Sequence, residues 1–161
     1  MYLLDANVFI QARRGDYAFD LCPGFWDWLD RAHARGLVFS IDAVRQELVA
    51  GGDVLSQWIA GRTGMFLPPA PDWVTHMTAT AAWAQGHAHY LPAAKAEFQA
   101  VADSMLVAAG RALQFTVVTN ETREPQKTGR IKIPDACDAL GVTAIAPREM
   151  LRTQGARFVL P

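Results

Sequence analysis

Apolar residues along this chain fall into short runs that alternate with longer stretches of helical period. Tyr2, Leu3 and Leu4 form a charge-free run, the pattern of a strand covered on both faces of a parallel sheet. The run stops abruptly at Asp5, and Asn7 is placed to cap the helix that Val8, Phe9 and Ile10 begin. After a polar break at residues 13–16, Pro23 suits the first turn of a helix over residues 23–33, with Phe25, Trp26 and Leu29 on one side and Gly36 as its stop. Residues 37–40 (Leu-Val-Phe-Ser) read as a second buried strand. Asp42 is expected to cap a helix over 43–50 that Gly51 and Gly52 close, and Asp53 to start another over 54–60. Residues 65–67 are apolar but short, and Pro68, Pro69 and Pro71 make a rigid connector.

From 72 to 113 the sequence is Ala-rich and helical, interrupted near residues 86–92. Its second half, 95–113, is apolar nearly all round at residues 105–109, which predicts a buried helix. Residues 115–119 (Phe-Thr-Val-Val-Thr) are a third strand, since β-branched residues dominate them. A polar loop over 120–132 precedes a short helix that Pro134 opens and Gly141 ends. Residues 142–145 predict a fourth strand, 147–154 a last helix stopped by Gly155, and 157–160 an edge strand. Strands alternating with helices in this way imply an α/β fold with a parallel sheet covered on both sides.

Composition narrows this picture little. One domain over residues 1–161 is large enough to bury a three-layer core, and 51% apolar content argues against disorder. The formal charge of −1 gives no global pull toward nucleic acid, so a nucleic-acid partner requires basic residues concentrated on one face. Cys22 and Cys137 are too widely separated to suggest zinc or a disulfide framework. The opening residues read as a core strand and not as a signal peptide, and no apolar run has membrane-spanning length, so a soluble cytoplasmic protein is expected.

Candidate chemistry lies in the acids. Asp5 closes the first strand, where ligands sit in open α/β sheets, although a turn or cap residue is an equally open reading. Glu47 borders the apolar stripe of Val44 and Leu48. Asp103 has Ala102, Met105, Leu106 and Val107 around it and no Lys or Arg close on its helix. An unpaired carboxylate in such surroundings protonates or finds a partner. Glu121 follows the third strand and Asp135 opens the next helix; singly, each reads as an ordinary loop or helix-dipole acid. A divalent cation would neutralise several of these together, and oxygen-only ligands point to Mg²⁺ or Mn²⁺ over zinc.

The opening Leu-Leu-Asp5-Ala-Asn7, Glu47 within Val44-Arg-Gln-Glu-Leu48, Ala102-Asp103, and Val118-Thr119-Asn120-Glu121 together resemble a PIN domain, over essentially the whole length. The ending Ile133-Pro-Asp135-Ala-Cys-Asp-Ala-Leu-Gly141 resembles a PIN-like subfamily near the VapC-type toxins. The resemblance implies a three-layer α/β/α fold and metal-dependent phosphodiester cleavage, usually of RNA, leaving 5′-phosphate and 3′-hydroxyl ends. It implies Asp5, Glu47 and Asp103 as metal-binding acids. Many members carry Asp where this chain has Glu121, so Glu121 or Asp135 fills the fourth place, holding a second ion or orienting the attacking water. Asn7 and Thr119 are expected to support these ligands through hydrogen bonds. The resemblance further implies the toxin of a toxin–antitoxin pair, held inactive by a cognate protein, in a family whose members often dimerise.

Arg13 and Arg14, with Arg123, Lys127, Arg130 and Lys132 of the polar loop, border the expected site and are the candidates for RNA phosphate contacts; a plain solvated loop is the alternative. His87 and His89 form a close pair without further ligand types, which reads as a loop and not a metal site. The five tryptophans could stack bases, but their helical spacing favours packing. Two rival functions stand beside the ribonuclease. A haloacid-dehalogenase-type phosphatase needs a second Asp two positions after the first, where this chain has Asn7. A PIN-like module without catalysis would serve only in binding.

Overall fold

A computed structural model describes residues 1–158. Five strands, β1 (Tyr2–Leu4), β2 (Val38–Ile41), β3 (Phe66–Leu67), β4 (Thr116–Val118) and β5 (Ala144–Ile145), form one sheet in the order β3-β2-β1-β4-β5. Every pairing is parallel, with Leu3 beside both Phe39 and Val117. The central strand is therefore the first one. Leu3 and Leu4 are fully buried, as a strand covered on both faces requires.

Helices α1 (Ala6–Arg14), α2 (Pro23–Ala34), α3 (Asp42–Ala50) and α4 (Val54–Ala60) accompany the steps from β1 to β2 and β3. The chain then crosses back to β4 through α5 (Trp73–Gly86), α6 (Pro92–Ala100) and α7 (Ala102–Leu113), and to β5 through α8 (Ile133–Leu140). Right-handed crossovers in opposite directions put these two sets on opposite faces, giving three α/β/α layers. Helix α9 (Pro147–Thr153) returns to lie beside α2: the chain just after it brings Phe158 against Gly24 and into an aromatic cluster with Tyr17 and Phe25. On the other face α7 lies unusually close to β4. A Cβ on Gly110 would stand 2.9 Å from Val117 Cγ2 and 3.1 Å from Val142 Cγ1.

Several expectations need correction. Asp5, not Asn7, stands at the N-cap of α1, and its side chain caps nothing because Thr119 holds it elsewhere. Asp42 lies inside the first turn of α3, bonded by Gln46, while Asp53 does cap α4 in a reciprocal box with Ser56. The apolar residues Phe66 and Leu67 supply a fifth strand beside β2. The long helix over 95–113 is divided at Val101, which is extended (φ −108, ψ 173), a geometry that suits a β-branched residue. Asp103 thus sits in the first turn of α7. Arg157 and Phe158 form no strand, and the remainder of that expected edge strand lies outside the described residues. The glycine stops are as expected: Gly36, Gly141 and Gly155 all have φ between 62 and 71.

Candidate acidic site

All five strands point the same way, so the loops after β1 and β4 share one edge of the sheet. Asp5 emerges there at 4% exposure, and the nearly buried Thr119 hydroxyl donates to its Oδ2 at 2.8 Å. The same hydroxyl oxygen accepts from Asn7 Nδ2 (3.2 Å) and from the Glu121 backbone N–H (3.1 Å). Asn7 in turn takes the Asn120 N–H on its Oδ1 (3.0 Å). Thr119 therefore orients Asp5, and Asn7 orients Thr119, by a relay that ties the ends of β1 and β4 together. Asn120 and Ser40 complete it. The Asn120 side chain donates to the Asn7 carbonyl, and the buried Ser40 hydroxyl donates to the Leu4 carbonyl at 2.6 Å. Sequence reasoning passed over both; the available signals were an Asn following Thr119 and a hydroxyl inside an apolar strand.

Burial pushes the Asp5 carboxyl up to about 7, and the charges of Asp103 and Glu121 add to this, while the Thr119 hydrogen bond and the Ala6 N–H oppose it. Asp103, partly buried, is pushed up to about 6 by burial first and then by Glu121, with Glu47 and Glu97 contributing and Arg130 opposing. The charges of Asp103 and Glu121 thus reach Asp5, and those of Glu121 and Glu47 reach Asp103, across residues far apart in the chain. Among the described residues neither Asp5 nor Asp103 is in an ion pair.

The expected fourth acids are differently placed. Glu121 is 9% exposed, and both of its oxygens are engaged. Oε2 accepts the Ile133 N–H at the start of α8 (2.8 Å), while Oε1 faces Lys132 Nζ at 3.2 Å and Arg130 Nη2 at 3.4 Å. Asp135 Oδ2 accepts the Glu124 N–H at 3.0 Å. Both acids hold the 120–132 loop to α8, and neither offers a wholly unengaged carboxylate. Glu47 is exposed on α3 and bears on Asp103 by its charge. Among the described residues no three His, Cys, Asp or Glu side chains stand close enough to form a metal cage. The acids gather around one edge without closing into the single cluster that the sequence suggested.

Most of the expected phosphate-binding cations are likewise committed. Arg13 pairs with Asp53 (3.1 Å), Lys127 with Glu124 (2.8 Å), and Arg123 grips Asp138 through two contacts at 2.7 and 2.9 Å. Of the six, only Arg14 forms no ion pair among the described residues. Trp26, Trp28 and Trp73 are buried, and Trp58 and Trp83 pack on other aromatics, so they present no stacking platform. His87 and His89 lie against Tyr90 where α5 turns into α6.

Carboxylate oxygens such as those of Asp5 and Asp103 are the donor type that a hard divalent cation takes, a few at a time with several waters kept. No helix among the described residues is long and apolar enough to cross a membrane. No curated protein and no solved structure matches the chain. Its residues 2–158 match the model of a family described as a domain of unknown function, DUF4411, and the chain belongs to that family.

Proposed function

We propose that this protein is a Mg²⁺- or Mn²⁺-dependent endoribonuclease of the PIN type. One observation carries the reading. Two carboxylates, at residues 5 and 103, one nearly buried and one partly so, hold their protons more tightly than ordinary carboxylates, chiefly through burial; the charge of Asp103 adds to the shift of Asp5, Glu121 adds to both, and among the described residues neither is in an ion pair. Such an arrangement is costly by itself and is relieved by a divalent ion. The sequence resemblance to PIN domains, in which the matching acids bind metal, supports the same conclusion.

Asp5 and Asp103 would hold the ion directly, and Glu47 through water. When bound, the ion supplies a water of lowered pKa and neutralises charge that builds on the phosphate. The chain's own residues do the rest. Thr119 fixes the Asp5 carboxylate in one orientation, and Asn7 and Asn120 fix Thr119. Lys132 and Arg130 place positive charge beside the acids, where a phosphate would enter. Glu121 keeps these two cations in position and, with Asp135, anchors the loop that carries them.

We further assign the chain, by the same resemblance, to the toxin half of a toxin–antitoxin pair acting on cytoplasmic RNA, with a cognate antitoxin and a homodimer as its expected assemblies. Incubation of a mixed RNA pool with wild type and Asp5→Asn, each with Mg²⁺, with Mn²⁺ and with EDTA, tests the enzymatic reading. Metal-dependent cleavage that vanishes in the variant supports it. Full activity in Asp5→Asn, or no cleavage with either metal, overturns it. A second reading, a PIN-like module that binds without cutting, is favoured by one feature, the engagement of both Glu121 oxygens. It predicts RNA or protein binding indifferent to EDTA and no new RNA ends.

A further inference from the structure

Fifteen Lys and Arg against sixteen Asp and Glu leave the chain without net attraction for a polyanion, so the position of its uncommitted cations decides where RNA could rest. The cations beside the acids are largely neutralised by ion pairs. Those on the α2–α9 face are not. Arg31, Arg35 and Arg157 are exposed, form no ion pair among the described residues, and line one hollow of about 560 Å³ between α2 and the segment after α9. No Asp or Glu lines this hollow among the described residues. Cations at the C-terminal end of a helix favour its dipole, which accounts for Arg31 and Arg35. It does not account for Arg157, which reaches the hollow from the opposite wall after the chain turns at Gly155 (φ 62).

The hollow also has a direction. As the crossover between two parallel strands, α2 runs against them, so its Gly24 end lies toward the edge where Asp5 emerges and its Arg35 end away from it. Its 12 residues span about 18 Å. A second hollow, of about 320 Å³, lies on the side nearer the acids, with the Phe158 cluster beside it. Its walls include Phe25, next in sequence to Gly24 of the first hollow, together with Arg148, Asp16 and Asn120 of the relay that holds Asp5.

We propose that the α2–α9 face is a track for single-stranded RNA, along which the phosphates leading away from the cut rest on Arg31, Arg35 and Arg157. This rests on the ribonuclease reading and adds to it a substrate class: an unpaired strand extending several nucleotides to one side of the scissile bond. Trp28, the one aromatic residue that lines the first hollow among the described residues, is 9% exposed, so the three arginines there grip the backbone without selecting sequence.

The test uses the full chain in EDTA, with a fluorescent mixed-sequence RNA of about 20 nucleotides, a length exceeding typical single-strand site sizes. Binding is measured by anisotropy across a series of NaCl concentrations. The triple variant Arg31→Gln/Arg35→Gln/Arg157→Gln is expected to bind about tenfold or more weakly, with a salt slope lower by about 2, the value for three lost phosphate contacts. The double variant Lys95→Gln/Arg111→Gln, which removes a half-buried and an exposed cation elsewhere, is expected to bind within about twofold of wild type. Melting curves confirm that each variant folds; if the triple variant does not, Arg35→Gln alone is read in the same way. Unchanged RNA binding in the triple variant overturns the track. So does equal weakening in both variants, which would report net charge alone. Loss of polyglutamate binding with RNA binding intact overturns it in favour of an acidic protein segment. Metal-dependent cleavage with unchanged binding in the triple variant leaves the ribonuclease reading standing, whereas absence of both RNA binding and cleavage in wild type removes both.

Discussion

Asp5 and Glu121 are both withdrawn from solvent at the same edge of the sheet, yet their surroundings are opposite. Glu121 has a lysine, an arginine and a helix-opening N–H upon it. Asp5 has one hydroxyl, the Ala6 N–H and the charges of other acids, and no cation pairs with it among the described residues. An anion held by cations belongs to the scaffold; one set among other acids without a cation favours a counter-charge. The difference separates groups that build this edge from groups available to work on a ligand.

Asp5→Asn gives the strongest test of that contrast. It is expected to lower RNA cleavage by about 1,000-fold or more and to abolish the heat of Mn²⁺ binding in calorimetry. The metal-free variant should be more stable than wild type by about 1–2 kcal/mol in urea, since a repelled buried charge is gone. Glu121→Gln should do the reverse. With Lys132 and Arg130 deprived of their partner, urea stability is expected to drop by about 1–2 kcal/mol, while Mn²⁺ affinity changes less than about threefold. If the two variants behave alike, the contrast is broken.

The pH dependence follows from the same pair of acids. Asp5 is raised from 3.8 to about 7 and Asp103 from 3.8 to about 6 on folding. A carboxyl that holds its proton more tightly when folded stabilises the fold below its unfolded pKa, and that stabilisation is lost as pH rises through the folded value. Metal-free protein should therefore lose a few kcal/mol, about 3 or more, between about pH 4 and 7, and Mg²⁺ should restore it at the upper end. A flat profile in denaturant melts without metal contradicts this. Thr119→Val is the mildest change. Removing the hydroxyl should cost about 1 kcal/mol and move the Asp5 titration, followed by carboxyl NMR, to still higher pH.

The alternation of apolar runs and helical stretches made the layered sheet readable from sequence, because covered parallel strands carry few polar residues. Glycine stops were legible for the same local reason. The division at Val101 was not, since Ala-rich sequence on both sides favours helix and only tertiary packing selects the break. Nor was the choice between Asp5 and Asn7 as N-cap. Both residue types suit that position, and the deciding bond comes from Thr119, 114 residues away from Asp5. Asp5 at a strand end and Asp103 in apolar surroundings stood out in the sequence as candidates for chemistry, while Asn7 and Thr119 entered as their supporting partners only through the resemblance. The tether of Glu121 could not, because it depends on a loop folding Lys132 and Ile133 back over eleven and twelve residues.

Gly110 sits seven residues along α7 from Asp103, about 10 Å down the helix axis. With no methyl group there, the helix settles directly onto the side chains of Val117 and Val142, and a methyl would push it outward. A hydrogen atom in place of a carbon thus acts as the shim that sets how near the second carboxylate comes to the first, from a position that never touches either.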